Sequence, residues 1–184
     1  SMTDFSIRDK GKEIRGLFSD SRGRIWETTT DNEIIIRNAD GSLEGYLHPD
    51  GSIRQARASF GHMFYCMVEQ PDGTLFAASR LNGLIVLEPV SRDCRHYRVH
   101  AYPNYSPGIS EGPTPTFTIF RDEKGRIWIG TYGEGLYLVE NPSDPGHLSF
   151  TYPAGYQRAQ FQKIRSFYES DGVVFVCTTD GIAV

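Results

Sequence analysis

The chain has 184 residues, 39% of them apolar, and a formal net charge of −4. That balance lacks the strongly basic face a nucleic-acid partner needs, and no apolar run approaches the length that crosses a bilayer. Aromatics reach 12%, and 19 Gly and 10 Pro are spread along the chain, as expected of many short strands joined by turns.

In chain order the first feature is Ser1 ahead of Met2, which reads as a remnant of cloning. The stretch Asp4-Phe5-Ser6-Ile7-Arg8 could form an edge strand. From there the chain repeats. Leu17-Phe18-Ser19-Asp20-Ser21-Arg22-Gly23-Arg24-Ile25-Trp26 aligns with Met67-Val68-Glu69-Gln70-Pro71-Asp72-Gly73-Thr74-Leu75-Phe76. It aligns again with Ile119-Phe120-Arg121-Asp122-Glu123-Lys124-Gly125-Arg126-Ile127-Trp128. A fourth copy, one residue shorter, is Phe167-Tyr168-Glu169-Ser170-Asp171-Gly172-Val173-Val174-Phe175. The turn glycines Gly23, Gly73, Gly125 and Gly172 are 50, 52 and 47 residues apart. A period near this value matches one four-stranded propeller blade.

Each copy reads as strand, Asp/Gly turn, strand, Gly turn, strand. Glycine permits the positive φ of a tight hairpin. An Asp before it accepts hydrogen bonds from nearby amides and holds the turn. The aromatic three places after the glycine, Trp26, Phe76, Trp128 or Phe175, should fill the gap between neighbouring sheets. One blade cannot bury both faces, so blades must stack. A β-sandwich is the competing architecture, but it does not require four matching turns. The reading is therefore all-β: a β-propeller, or a fragment of one, of about four four-stranded antiparallel blades. The blades fall near residues 9–58, 59–112, 113–160 and 161–184, the last incomplete. Residues 4–8 could complete it, within one chain or between two. Open blade edges expose apolar faces, so self-association is expected.

The cysteines Cys66, Cys94 and Cys177 are odd in number and irregularly spaced, which argues against a disulfide framework. Cys66 and Cys177 lie in apolar runs and are expected to be buried thiols. No C-x-x-C, H-E-x-x-H or G-x-S-x-G occurs. No metal, cofactor or catalytic residue is assigned.

The segment from Asp122 through Trp128-Ile129-Gly130-Thr131 to Tyr132-Gly133-Glu134-Gly135-Leu136 resembles the two-component regulator propeller repeat. That pattern runs Asp-x-x-Gly-x-Leu/Ile-Trp-Ile/Val-Gly-Thr, then a Gly-rich turn and Leu. The other copies depart from it. The first has Trp26-Glu27-Thr28 and no Gly-rich turn; the second has Phe76 for Trp but keeps Asn82-Gly83-Leu84; the fourth keeps Thr178-Thr179-Asp180-Gly181-Ile182. The resemblance implies a periplasmic or extracellular sensor segment of a bacterial inner-membrane protein, often a hybrid histidine kinase. Many such segments are associated with carbohydrate sensing. It implies no catalysis by the segment itself, and a small-molecule or oligosaccharide ligand.

Strand order places the second-to-third strand turns and the blade-to-blade connections on one face. By analogy, propeller ligands gather there. Arg57, Arg80, Asn82, Tyr105, Tyr132, Glu134 and Asp180 are the candidate ligand residues. Rings stack on pyranose faces, and Arg, Asn and acids take hydroxyls. Two rival readings are a propeller enzyme, either a lyase or a glycoside hydrolase, and a structural dimerising scaffold. A glycan-cleaving enzyme needs paired carboxylates. Glu111, Glu134 and Asp180 are available, but no spacing in the sequence brings two together.

Overall fold

The computed structural model describes residues 13–105, 113–157 and 159–184. They form four antiparallel sheets and no helix. Blade 1 contains β1 (Ile14–Ser19), β2 (Ile25–Thr29), β3 (Ile34–Arg37), β4 (Leu43–Leu47) and the short β5 (Ile53–Arg54). Blade 2 contains β6 (Phe64–Glu69), β7 (Leu75–Ser79), β8 (Gly83–Pro89) and β9 (Tyr97–Tyr102). Blade 3 contains β10 (Thr116–Arg121), β11 (Ile127–Thr131), β12 (Leu136–Val139) and β13 (Phe150–Thr151). Blade 4 contains β14 (Ile164–Ser170), β15 (Val173–Thr178) and β16 (Gly181–Ala183). Strand order within every blade follows chain order. The first strands pack in sequence, β1 against β6, β6 against β10 and β10 against β14.

The alternation of strand side chains builds the core between blades. Trp26, Ile34, Ile36 and Leu47 of blade 1 meet Phe64, Leu75, Ala77, Ile85 and Tyr97 of blade 2. Phe76, Leu84 and Val86 on the other face of blade 2 meet Ile119, Ile127, Ile129 and Tyr137 of blade 3. Trp128 and Leu136 meet Ile164, Val174 and Val176 of blade 4. The repeat aromatic of each of the first three blades thus enters the next interface. Fully burying one such side chain contributes about 1.5–3 kcal/mol.

The Asp turn is more than a turn. Asp20 accepts from the amides of Arg22 and Arg24 at 3.0 and 2.9 Å, from Arg24 Nε at 2.6 Å and from Trp26 Nε1 at 2.9 Å. Asp122 repeats this with the Arg126 amide, Arg126 Nε and Trp128 Nε1. Both carboxylates are therefore fully engaged by Arg and Trp donors. The shorter fourth copy uses a different hairpin. Asp171 and Gly172 take φ of 52° and 74° between Ser170 and Val173, the two-residue turn with two left-handed positions.

Blade 1 has a fifth short strand, and blade 4 has three strands among the described residues. Residues 4–8 lie outside the described residues. The expectation for the thiols is corrected in part. Cys66 is half-buried and Cys177 is exposed, whereas Cys94 is buried. The alternation of β15 turns Val174 and Val176 toward blade 3 and leaves Cys177 on the opposite face.

Candidate functional site

Each first strand carries an irregularity at the same place. The register against the second strand shifts between Ile14 and Gly16, Phe64 and Cys66, Thr116 and Thr118, and Ile164 and Ser166. A bulge inserts one residue and re-aims its side chain. The inserted residues are Arg15, Tyr65, Phe117 and Arg165. Arg15 and Arg165 are exposed, and Tyr65 and Phe117 are half-buried.

These rings form a row. Tyr65 and Phe117 stack at 5.3 Å with an interplanar angle of 13°, and Phe117 lies 5.1 Å from Tyr132. Tyr132, 42% exposed, is covered by two cations: Lys163 Nζ and Arg165 Cζ each lie 5.1 Å from its ring centroid. The backbone fixes this end of the row. Tyr132 pairs with Lys163 in an antiparallel bridge, and the amides of Gly133 and Gly135 both donate to the Gln162 carbonyl. The Thr179 amide donates to the Lys163 carbonyl. Beside it, a hollow of about 300 Å³ is lined by Ala159, Gln160, Gln162, Lys163, Thr179 and Asp180.

The candidate ligand residues disperse. Tyr132 and Asp180 flank the Lys163 segment. Asp180 is exposed and accepts from the Thr179 hydroxyl at 3.1 Å. Glu134 sits one turn away, accepting from the Thr114 hydroxyl at 3.2 Å and the Tyr137 hydroxyl at 3.4 Å. Arg57 pairs with Glu33 at 2.6 Å over blade 1. Arg80 is exposed at the β7–β8 turn, and Asn82 bonds His62. Burial holds the His62 imidazole below its ordinary value, against the opposing effect of the Asn82 bond. Tyr105 is 4% exposed and packs between Tyr137 and Phe150 in the core of blades 2 and 3. Burial pushes its hydroxyl far above the ordinary range, so it stays protonated. Glu111 lies outside the described residues. Among the described residues no group of three or more His, Cys, Asp and Glu side chains is placed to hold a metal ion.

Sequence reasoning missed Arg15, Tyr65, Phe117, Lys163 and Arg165. A signal existed for four of them. They stand eight residues before the turn glycine in the first three copies and seven in the shorter fourth. Nothing in a linear pattern shows that this offset is a bulge.

Comparison with known proteins bears on the fold. No curated protein matches the chain by sequence. A structure of PorZ, a bacterial surface component of the type-IX secretion system of Porphyromonas gingivalis, aligns with a TM-score of 0.62 at 16% identity over 92% of this chain and 25% of its own. The extracellular domain described as part of a hybrid two-component system from B. thetaiotaomicron aligns with a TM-score of 0.61 at 18% identity over 92% of this chain and 21% of its own. A virginiamycin B lyase from Staphylococcus aureus aligns with a TM-score of 0.61 at 14% identity, over 95% and 56%. The chain spans a quarter or less of the first two proteins' length. At these identities the likeness establishes fold alone. A family model for the two-component regulator propeller matches residues 110–133, across β10 and β11. The chain therefore has the β-propeller fold, and its residues 110–133 match the two-component regulator propeller repeat.

Proposed function

We propose that this chain is a ligand-sensing propeller segment on the extracytoplasmic side of a bacterial two-component signalling protein, without catalytic chemistry of its own. The observation that carries the reading is the regulator-propeller repeat coupled to the row of Tyr65, Phe117 and Tyr132 with polar turns beside it. The outer edges of these rings suit contact with a sugar, and the polar turns beside them suit hydroxyls. The two-component likeness supports the cellular setting, and the histidine kinase output would lie elsewhere in the parent protein. Glu134, held by Thr114 and Tyr137, serves here as a structural anchor of its turn.

The test is calorimetric titration of the chain with a panel of neutral and acidic oligosaccharides, with mass spectrometry of the ligands afterwards. Saturable binding of intact ligand is expected. Shortened or unsaturated products would replace the sensor reading with an enzymatic one. Silence across the whole panel would favour a scaffold that transmits a signal without ligand.

A further inference from the structure

The chain is acidic overall, with 23 Asp and Glu against 19 Lys and Arg. Eight of its cations are paired with acids among the described residues. Arg15, Arg24, Arg37, Arg54, Arg57, Arg95, Arg98 and Arg126 all have carboxylate partners. Lys163 and Arg165 form no ion pair among the described residues, although they stand two positions apart on one exposed segment. They are instead held over the ring of Tyr132. Two adjacent like charges repel, so a negative counter-charge at this place is favourable.

The geometry points to an anion-binding clamp at Lys163 and Arg165, with Tyr132 as its pedestal, that takes the carboxylate or sulfate of an acidic saccharide. This deepens the ligand-sensing reading and rests on it for the saccharide. The ring face of Tyr132 is already covered by cations, so this ring does not serve as an open sugar platform. A guanidinium that lies over an aromatic face keeps its edge N–H groups for planar, bidentate bonds to an oxyanion. Both cations stand on backbone that is pinned. Lys163 lies in the bridge to Tyr132, and Arg165 is the bulged residue next to Ile164, which is 0% exposed. Pre-organised donors lose less on binding than free ones.

The rest of the row completes the subsite. Tyr65 and Phe117 continue from Tyr132 along the first strands and offer half-buried ring edges to the neighbouring sugar unit. Asp180, the one acid on the adjacent hollow, sets the boundary of the clamp by repelling an anion that slides toward Thr179. Arg15 stands at the corresponding bulge of blade 1 but is neutralised by Glu13 at 3.0 Å, so it is not part of the clamp.

The experiment is titration of the chain with tetragalacturonate, a sulfated chondroitin tetrasaccharide and neutral cellotetraose, with sodium sulfate as competitor at constant ionic strength. The expected result is that both acidic tetramers bind more tightly than the neutral one and that sulfate displaces them. Arg165→Ala should weaken acidic binding by about tenfold, as expected for a charge-assisted bond. Tyr132→Phe should keep the affinity and Tyr132→Ala should lower it, with both charges retained. Arg165 and Lys163 are exposed, so their variants should fold, which circular dichroism checks. Unchanged acidic binding in Lys163→Ala/Arg165→Ala would overturn the clamp. Equal affinity for neutral and acidic tetramers would overturn it too, while leaving the sensor reading intact. Sulfate binding lost in Arg165→Ala, without any saccharide binding, would uphold the anion site and sink the saccharide reading.

Discussion

Blades 1 and 3 carry the same Asp-x-x-x-Arg-x-Trp turn, yet the two copies live in different surroundings. In blade 1, Arg24 is 7% exposed. It bonds Asp20 below it and reaches across to the Cys94 carbonyl and the Tyr97 hydroxyl, both at 2.8 Å. In blade 3, Arg126 is 42% exposed and, among the described residues, keeps only its Asp122 bond and its place over the Trp128 ring. The difference is the partner. Blade 2 has an outermost strand, β9, that caps Trp26 with Tyr97 edge-on at 5.8 Å. Blade 4 has three strands among the described residues, and a hollow of about 520 Å³ lies where Trp128, Leu136, Tyr156, Phe161 and Val174 converge. A local motif sets its own hydrogen bonds, but the neighbouring blade decides how much those bonds contribute.

The largest expected effect tests this directly. Trp26→Ala should lower unfolding stability by about 3–5 kcal/mol and Trp128→Ala by about 2–3 kcal/mol, because one wall of the second site is already open. Urea denaturation monitored by circular dichroism gives both values, and equal losses would break the comparison. A second contrast lies in the arginines. Arg24→Ala should cost about 2–3 kcal/mol, since it also removes the buried bonds to the Cys94 carbonyl and the Tyr97 hydroxyl, whereas Arg126→Ala, which removes the Asp122 bond at an exposed site, should cost about 1 kcal/mol or less. If the two variants unfold alike, the capping strand is not what distinguishes the blades.

The smallest effect concerns acid. Burial alone would raise the Asp122 carboxyl, but the Trp128 indole and the Arg126 groups overcome it and hold the group below its ordinary value. A depressed folded value means stability that is present above the unfolded value of about 3.9 and lost as pH falls through the folded one. Stability measured from pH 6 down to pH 2 should fall less steeply for Asp122→Asn than for the parent. Parallel acid limbs would show that the carboxylate form is not favoured by these donors.

The open face of blade 4 sharpens the same point. Tyr168 and Ile182 are each 67% exposed, Val173 is 40% exposed, and Phe175 holds the position that Trp26, Phe76 and Trp128 occupy in the filled interfaces. The receiving position of blade 1 is Glu27, bonded to Arg37 at 2.8 Å, where blades 2, 3 and 4 have Ala77, Ile129 and Val176. Joining the two ends would cover a charged pair with an apolar face. Self-association, expected from the open edges, should therefore be weak, with a molar mass by light scattering near 20.7 kDa at micromolar concentration. A stable mass of twice that would show that the pair is tolerated at the junction.

Much of the fold was legible in the chain alone. A period near 50, a glycine at each turn and an aromatic three places later fix blade count, strand order and the residue that enters each interface, because these depend on local turn chemistry and on alternation. The candidate site was legible only in part. Tyr132 and Asp180 fall beside Lys163, which no pattern in the sequence singled out, while Tyr105, in a connection that reads as a loop, packs into the core. What the tertiary structure alone decided is the row of Tyr65, Phe117 and Tyr132 and the cations at its end. A bulge changes where one side chain points without changing the residue pattern around it, and rings some fifty residues apart meet only when blades stack.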